Sequence, residues 1–211
     1  MPSLIDCIFA RRRMNLLRQE AQKLGFSFQD GGNPFEGSDV RGLKILENDP
    51  SALTLHVMRR GVGDCEALVF DLAHYVPGCA NLMETTVAGF RCPSRELPVF
   101  QIGEKGFAHR LGDALQGRVD LDVARKFAKK LFVHCSNEAT SHDFLTADKI
   151  EQLSLHMEHF RIESSHEWIL IYRPGRRTAP QALCPFIQTA SAIASALLGR
   201  TPEAARQWSG R

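Results

Sequence analysis

The stretch that decides the fold is Leu53-Thr-Leu-His-Val-Met-Arg-Arg-Gly-Val-Gly-Asp-Cys-Glu-Ala-Leu-Val-Phe-Asp-Leu-Ala-His-Tyr75. Its first part alternates apolar with polar residues, which is typical of a half-buried strand. Residues 61–64 have a turn composition. Residues 67–72 are apolar on both faces, so they predict a strand in the middle of a sheet. The stretch therefore predicts a β-hairpin whose second strand is central.

More strands are predicted on either side of this hairpin. Residues 26–28 precede it as a short strand, and residues 83–90 follow it with alternating polarity. Residues 97–102 form another strand, and Pro98 places it near an edge or at a strand start. Three or four successive strands joined by short turns predict an antiparallel meander. Beyond it we predict a strand over 131–135 and a hairpin of 160–162 with 168–172, which turns around residues 164–166.

Amphipathic helices are predicted at both ends of the chain. Near the N-terminus, four apolar residues recur at helical spacing and Gly25 follows as a stop: Met14, Leu17, Ala21 and Leu24. The last helix has one continuous apolar face up to Leu198, and Gly199 ends it. Its start is either a capping box at residues 178–181 or Pro185, which is simpler. A further helix is predicted over 144–154.

The predicted fold class is α+β, a mostly antiparallel sheet with helices packed on one face. We expect a single domain over residues 1–199, with a subdomain boundary near Gly117 as the alternative. Residues 200–211 are expected to form a mobile tail. The chain has 211 residues, 44% of them hydrophobic and 24% charged, so it is long and apolar enough to form a core.

Charge and cysteine usage indicate the class of protein and its compartment. The net charge is +2, too small for a dedicated nucleic-acid-binding protein, so no nucleic-acid partner is expected. The six cysteines form no Cys-x-x-Cys pair and no signal peptide is apparent, which predicts reduced thiols in the cytoplasm. The sequence contains no stretch of 18 or more apolar residues, so no membrane span is predicted.

The first thirteen residues allow two interpretations. Four apolar residues within 4–9 are followed by three basic side chains, Arg11, Arg12 and Arg13. This composition fits an interfacial helix at the inner face of an anionic membrane. The favoured interpretation is the first turns of an amphipathic helix docked on the core, because the apolar residues are few.

The residues at 57–75, ending in Phe70-Asp71-Leu-Ala-His74-Tyr75, resemble a strand–turn–strand signature that ends in Phe-Asp-Tyr-x-Tyr. The signature belongs to a family of uncharacterised bacterial proteins, many of them membrane-tethered. The segments at 10–13, 111–115, 122–127 and 172–175 are also similar to this family, so the resemblance spans about residues 10–199. The chain departs from the pattern at Leu72 and His74, where the family has aromatic residues. The chain also lacks the hydrophobic membrane segment of many members. The resemblance implies a bacterial origin but no activity.

Asp71, His74 and Tyr75 are the candidate catalytic residues. An Asp at the end of a buried strand could orient His74 as a general base or a metal ligand. The alternative, which we favour, is that Asp71 is a structurally satisfied buried polar group. Replacing it with Asn separates these hypotheses, because a catalytic role predicts loss of activity with an intact fold.

His156, His159 and His166 are the candidate metal ligands. The first two have i,i+3 spacing and the third is nearby in sequence, which is compatible with zinc. No carboxylate or thiol completes the set at a recognisable spacing, so no metal or other cofactor is expected. No phosphate-binding loop, serine-hydrolase or zinc-protease motif is present.

The sequence therefore favours a non-enzymatic interaction or ligand-sensing module, with a protein partner or self-association as its mode of action. A small hydrolase or metal-dependent enzyme that uses Asp71 and His74 is one alternative. A membrane-surface adaptor that acts through residues 1–13 is another.

Overall fold

The fold is that of a computed structural model, which describes residues 4–47, 51–75, 82–104, 131–136, 140, 143–200 and 207–208. Within these residues eight strands form one antiparallel sheet. The strands are β1 (Ser27–Gln29), β2 (Leu53–Val62), β3 (Cys65–Tyr75), β4 (Leu82–Arg91), β5 (Leu97–Glu104), β6 (Leu131–Cys135), β7 (Arg161–His166) and β8 (Trp168–Tyr172). The helices are α1 (Leu4–Lys23), α2 (Lys44–Glu47), α3 (Ala147–Ser154) and α4 (Leu183–Leu198), and a 3₁₀ turn (Pro180–Ala182) precedes α4. The predicted α+β class is confirmed.

The strand order in the sheet is β1-β2-β3-β4-β8-β7-β5-β6. The first four strands are consecutive, as the meander predicts, but β8 lies beside β4 in place of β5. Strands from both sides of residue 117 thus share the same sheet. The subdomain boundary predicted there lies outside the described residues.

The sheet is covered on both faces because its strands are apolar on both faces. On the helix-covered face, α1, α3 and α4 pack over residues such as Ala67, Val69 and Ala88. On the opposite face, a segment that we call the strap (residues 33–47) packs Phe35, Leu43 and Ile45 against the sheet. There they meet a second apolar cluster, which includes Leu68, Phe70, Leu72, Trp168 and Leu170.

The last helix follows the predicted pattern closely. Its apolar side chains are buried over the sheet, and Gly199 ends it in the left-handed conformation with φ 63°. It starts at Leu183, so Pro185 lies in the first turn, where its missing N–H leaves no hydrogen bond unmade. Together with its 3₁₀ start it is the one helix among the described residues that is long and apolar enough to span a membrane. In this fold it serves as a core helix.

Two local predictions are corrected or refined by the structure. Ser164 and Ser165 lie in β7, where Ser165 pairs with Trp168, so the hairpin turns at residues 166–167. His166 supplies the positive φ of 51° that such a two-residue turn requires, a role usually filled by Gly or Asn. Of the predicted mobile tail, Trp208 is fully buried and stacks on Phe90 with ring centroids 4.8 Å apart.

Candidate functional site

Asp71 lies in the interior of β3, on the helix-covered face. The prediction placed it at a strand end, but β3 continues to Tyr75. The side chain is buried, with 2% of the residue exposed. A buried carboxylate is strongly destabilising unless it is paired and hydrogen-bonded, so its partners decide what it does.

The main partner of Asp71 is Arg13 of α1. Arg13 Nε donates to Oδ2 at 3.0 Å, and Nη2 lies 3.1 Å from Oδ1 and 2.8 Å from Oδ2. This fork-like arrangement is the strong form of a charge-assisted hydrogen bond. Arg13 has helical spacing with Leu17, Ala21 and Leu24, which are buried on the same face of the helix. The ion pair therefore fixes α1 on the sheet.

Other donors complete the coordination of Asp71. The Thr86 hydroxyl on β4 donates to Oδ1 at 2.6 Å, and it accepts the Thr178 backbone N–H at 2.8 Å. Arg177 Nε lies 3.7 Å from Oδ2, and its Nη1 pairs with Glu84. Asp71 thus connects α1, β3 and β4 with the segment that follows β8.

His56 reaches Asp71 because of a β-bulge. The register of β2 with β3 shifts between Leu55 and Met58, and His56 has a φ of 53°. One residue is inserted there, as bulges do. Val57 still packs on the strap side, while His56 Nδ1 lies 3.2 Å from Asp71 Oδ2 on the other face. Because a carboxylate only accepts hydrogen bonds, Nδ1 carries the hydrogen.

This environment keeps Asp71 ionised. Burial raises the pKa of the Asp71 carboxyl, but the hydrogen bond from His56, the charge of Arg13 and the Thr86 hydroxyl together lower the pKa below its ordinary value. Both oxygens are occupied by donors of the same chain. The group is therefore a structural anchor whose lone pairs are already used.

The structure does not bring His74 and Asp71 together. Alternate residues of a strand point to opposite faces, so His74 shares the strap side with Leu72 while Asp71 faces the helices. His74 Nε2 lies 3.5 Å from the Thr85 hydroxyl, on that same side. Tyr75 is the last residue of β3. The predicted Asp71–His74 pairing is therefore absent from this part of the fold, and the imidazole at Asp71 belongs to His56.

A second carboxylate, Glu163 on β7, is also buried, and no pattern in the sequence marks it. Glu163 Oε1 accepts the Tyr172 hydroxyl at 2.5 Å and Gln101 Nε2 at 2.7 Å. Oε2 accepts the backbone N–H of Ile45 at 3.0 Å. Burial raises the pKa of Glu163, and burial together with the charge of Glu163 raises the pKa of Tyr172 well above its ordinary value. The Ile45 contact fastens the strap to the sheet.

The three candidate metal-ligating histidines do not converge. His159 precedes β7 and His166 ends it. At a rise of about 3.3 Å per residue along a strand, the two histidines lie roughly 20 Å apart. His159 Nδ1 is 3.4 Å from Glu104 Oε2, and His166 Nε2 is 3.5 Å from Asp39 Oδ2. His156 is exposed in the turn after α3. Within the described ranges, no group of three or more His, Cys, Asp and Glu side chains could hold a metal ion.

No protein-family model matches the chain, and no curated protein matches its sequence. Among solved structures it is similar to the crystal structure of the mycobacterial trehalose monomycolate transport factor A, TtfA. The TM-score is 0.61 at 14% sequence identity, and the match covers 91% of this chain and 98% of that chain. At this identity the similarity establishes the fold and no more.

Proposed function

We propose that the protein is a non-enzymatic interaction module in which the buried ionisable groups hold the fold together and the surface carries the function. The observation that supports this most directly is the saturation of Asp71 by Arg13, Thr86 and His56. A general base needs an oxygen within hydrogen-bond reach of a substrate proton. Both oxygens of Asp71, the best candidate for that role, already accept hydrogen bonds from other residues of the chain.

Glu163 supports the same conclusion. A buried carboxyl with a raised pKa is the kind of group often found in active sites. Here its oxygens accept three hydrogen bonds from Tyr172, Gln101 and Ile45, and these join β5, β7, β8 and the strap. The structural likeness to a protein named as a transport factor also favours an accessory role over catalysis.

Native mass spectrometry of the wild-type protein and of Asp71→Asn tests the non-enzymatic part of the proposal. We expect the wild-type chain, or a homo-oligomer of it, without a retained metal ion or small molecule. A reproducible extra mass that disappears in Asp71→Asn, with an unchanged melting temperature, would instead identify a ligand site at Asp71.

The interaction part is tested by photo-crosslinking in cells that express the protein. A crosslinking side chain is placed, one position at a time, at the exposed apolar residues Leu16, Leu53 and Leu155. The exposed polar Glu151 on α3 is the matched control position. We expect a discrete adduct, with another protein or with a second copy of the chain, from at least one apolar position and none from the control. Absence of an adduct at all three positions contradicts an interaction through these surfaces.

A membrane-surface adaptor is the second candidate. It is favoured by the exposure of Arg11 and Arg12 on α1, whereas the charge of Arg13 is neutralised by Asp71. Co-sedimentation with anionic vesicles at low and high salt measures this activity. We expect Arg11→Gln to weaken binding, and Arg41→Gln, at an exposed site of the strap on the opposite face of the sheet, to leave it unchanged. Equal binding of both variants and of wild type removes this candidate.

A further inference from the structure

Cys65 and Cys92 lie directly across from each other at one end of the β3–β4 ladder. The ladder runs from Tyr75 opposite Leu82 to Glu66 opposite Arg91, and extending this register by one step places Cys65 opposite Cys92, the residue that follows β4. Both side chains belong to the apolar cluster on the helix-covered face. The two thiols lie close enough for each to shift the pKa of the other: Cys92 lowers the pKa of Cys65, and Cys65 raises the pKa of Cys92.

The backbone geometry of this pair favours close approach. Cys65 pairs with Val62 across the two-residue turn of the β2–β3 hairpin, so its backbone groups face β2. The Cys92 N–H donates to the carbonyl of Glu167, on the side of β8. Neither residue therefore directs its backbone hydrogen bonds at the other. Such a non-hydrogen-bonded pair has Cα atoms about 4.5 Å apart, within the range that a disulfide spans.

We propose that Cys65 and Cys92 form a redox-active thiol pair, which a low-molecular-weight disulfide oxidises to a cross-strand disulfide without rearrangement of the sheet. Cys65 loses its proton and its sulfur attacks one sulfur of the reagent disulfide, which releases one reagent thiol. Cys92 then loses its proton and attacks the Cys65 sulfur of this mixed disulfide, which releases the second reagent thiol. The two protein thiols are oxidised by two electrons, and one reagent disulfide is reduced to two thiols.

Arg200 makes Cys65 the first nucleophile. Its Nη2 lies 2.9 Å from Cys65 Sγ and 3.2 Å from Asp64 Oδ1, and Arg200 and Asp64 are the charged groups of the described residues that face the pair. A guanidinium at this distance stabilises a thiolate. The guanidinium also lies over the ring of Trp208, 5.1 Å from its centroid. The pair thus lies where the β3–β4 ladder meets the residues that follow α4.

Burial determines the rate of this reaction. Cys65 is 4% exposed and Cys92 is 1% exposed. Burial raises the pKa of both thiols, most strongly that of Cys92, and Asp64 acts in the same direction, whereas Arg200 lowers the pKa of both thiols. The folded protein therefore holds a neutral thiol pair at pH 7. We expect oxidation to be slow there and to accelerate as the pH rises.

The test incubates the folded full-length protein with oxidised glutathione across a pH series, followed by thiol trapping and peptide mapping. Expected results are the loss of two trappable thiols, an intact mass lower by two hydrogen atoms and one peptide pair linked through Cys65 and Cys92. Cys65→Ser and Cys92→Ser each abolish the link, while Cys184→Ser, at a partly buried thiol on α4, retains it. Arg200→Gln displaces the pH–rate profile to higher pH without changing the oxidation rate in urea.

Three outcomes overturn the proposal. One is a glutathione adduct that persists on Cys65. Another is thiol loss of equal extent in wild type and Cys92→Ser. The third is that folded wild type keeps both thiols reduced across the whole pH series, although the same protein is oxidised in urea. Peptide mapping of the wild type decides the question even where a serine variant folds poorly.

Discussion

Replacing Asp71 with asparagine is expected to destabilise the fold by about 3 kcal/mol at pH 7. The substitution preserves shape and can still accept the Thr86 hydroxyl, but it leaves the guanidinium of Arg13 without a counter-charge. The side chain of Arg13 is only 11% exposed and that of Asp71 only 3%, so water compensates little for the loss. Removing one partner of a buried ion pair typically costs about 3–5 kcal/mol. Because asparagine keeps the hydrogen bond with Thr86, we expect a cost near the lower end of this range.

The measurement is urea unfolding of both proteins, followed by circular dichroism, over a pH series. The pKa of Asp71 is lower in the folded chain than in the unfolded chain, where it is about 3.9. The stabilisation by its charge is therefore complete above about pH 5 and is lost as the pH falls through the folded-state pKa. The difference between wild type and Asp71→Asn should shrink along the same interval.

Asp39→Asn is the matched control for this prediction. Asp39 also binds an arginine, Arg41, through several N–H groups, but the pair is solvent-exposed. Exposed ion pairs contribute little, so we expect nearly unchanged unfolding. Equal stabilities of wild type and Asp71→Asn, or a difference that stays constant into acid, would refute the reasoning about Asp71.

Three further predictions concern the strap and the C-terminal anchor. Burial raises the pKa of Glu163, so the stabilisation by its protonated form is complete below about pH 4 and declines as the pH rises through the folded-state pKa. Glu163→Gln should lack this decline in urea titrations over a pH series. A variant with the same pH profile as wild type would contradict this prediction. Gly42→Ala should lower the free energy of unfolding by about 1–3 kcal/mol, because the φ is 87° and the new Cβ would lie 2.7 Å from Val99 Cγ1. Gly37→Ala, with a φ of 75° but no atom within 4 Å, is its control and should cost less in the same denaturation assay. Trp208→Ala should cost about 3 kcal/mol in thermal unfolding because the side chain is fully buried, and a loss below about 1 kcal/mol would contradict this anchoring.

Much of the fold could be predicted because it follows from local periodicity. The apolar run at residues 67–72 is a strand with neighbours on both sides, β2 and β4, and the last helix ends at Gly199 as expected. The turn at residues 166–167 was misplaced because its positive φ is carried by a histidine, which has no strong turn signature. The position of β8 between β4 and β7 depends on contacts distant in sequence, which periodicity does not encode.

The candidate site was predicted only in part. Asp71 was identified as a buried polar residue, but its partners were not, because Arg13 and His56 meet it through helix docking and a β-bulge. A signal for Arg13 existed in its helical spacing with the buried Leu17 and Ala21. Glu163 had no comparable signal. It lies between the predicted strands 160–162 and 168–172, where an acidic residue is typical of a solvent-exposed turn.

By itself, the sequence determined the α+β class, the hairpin of β2 and β3 and the apolar faces of the terminal helices, because side-chain periodicity acts over a few neighbouring residues. The tertiary structure decided which carboxylates are buried and what they bind. Asp71 reaches across 58 positions to Arg13, and Glu163 reaches across 118 positions to the backbone of Ile45. A buried charge requires a partner, and the packing of distant segments, not the neighbouring residues in the sequence, determines which group that partner is.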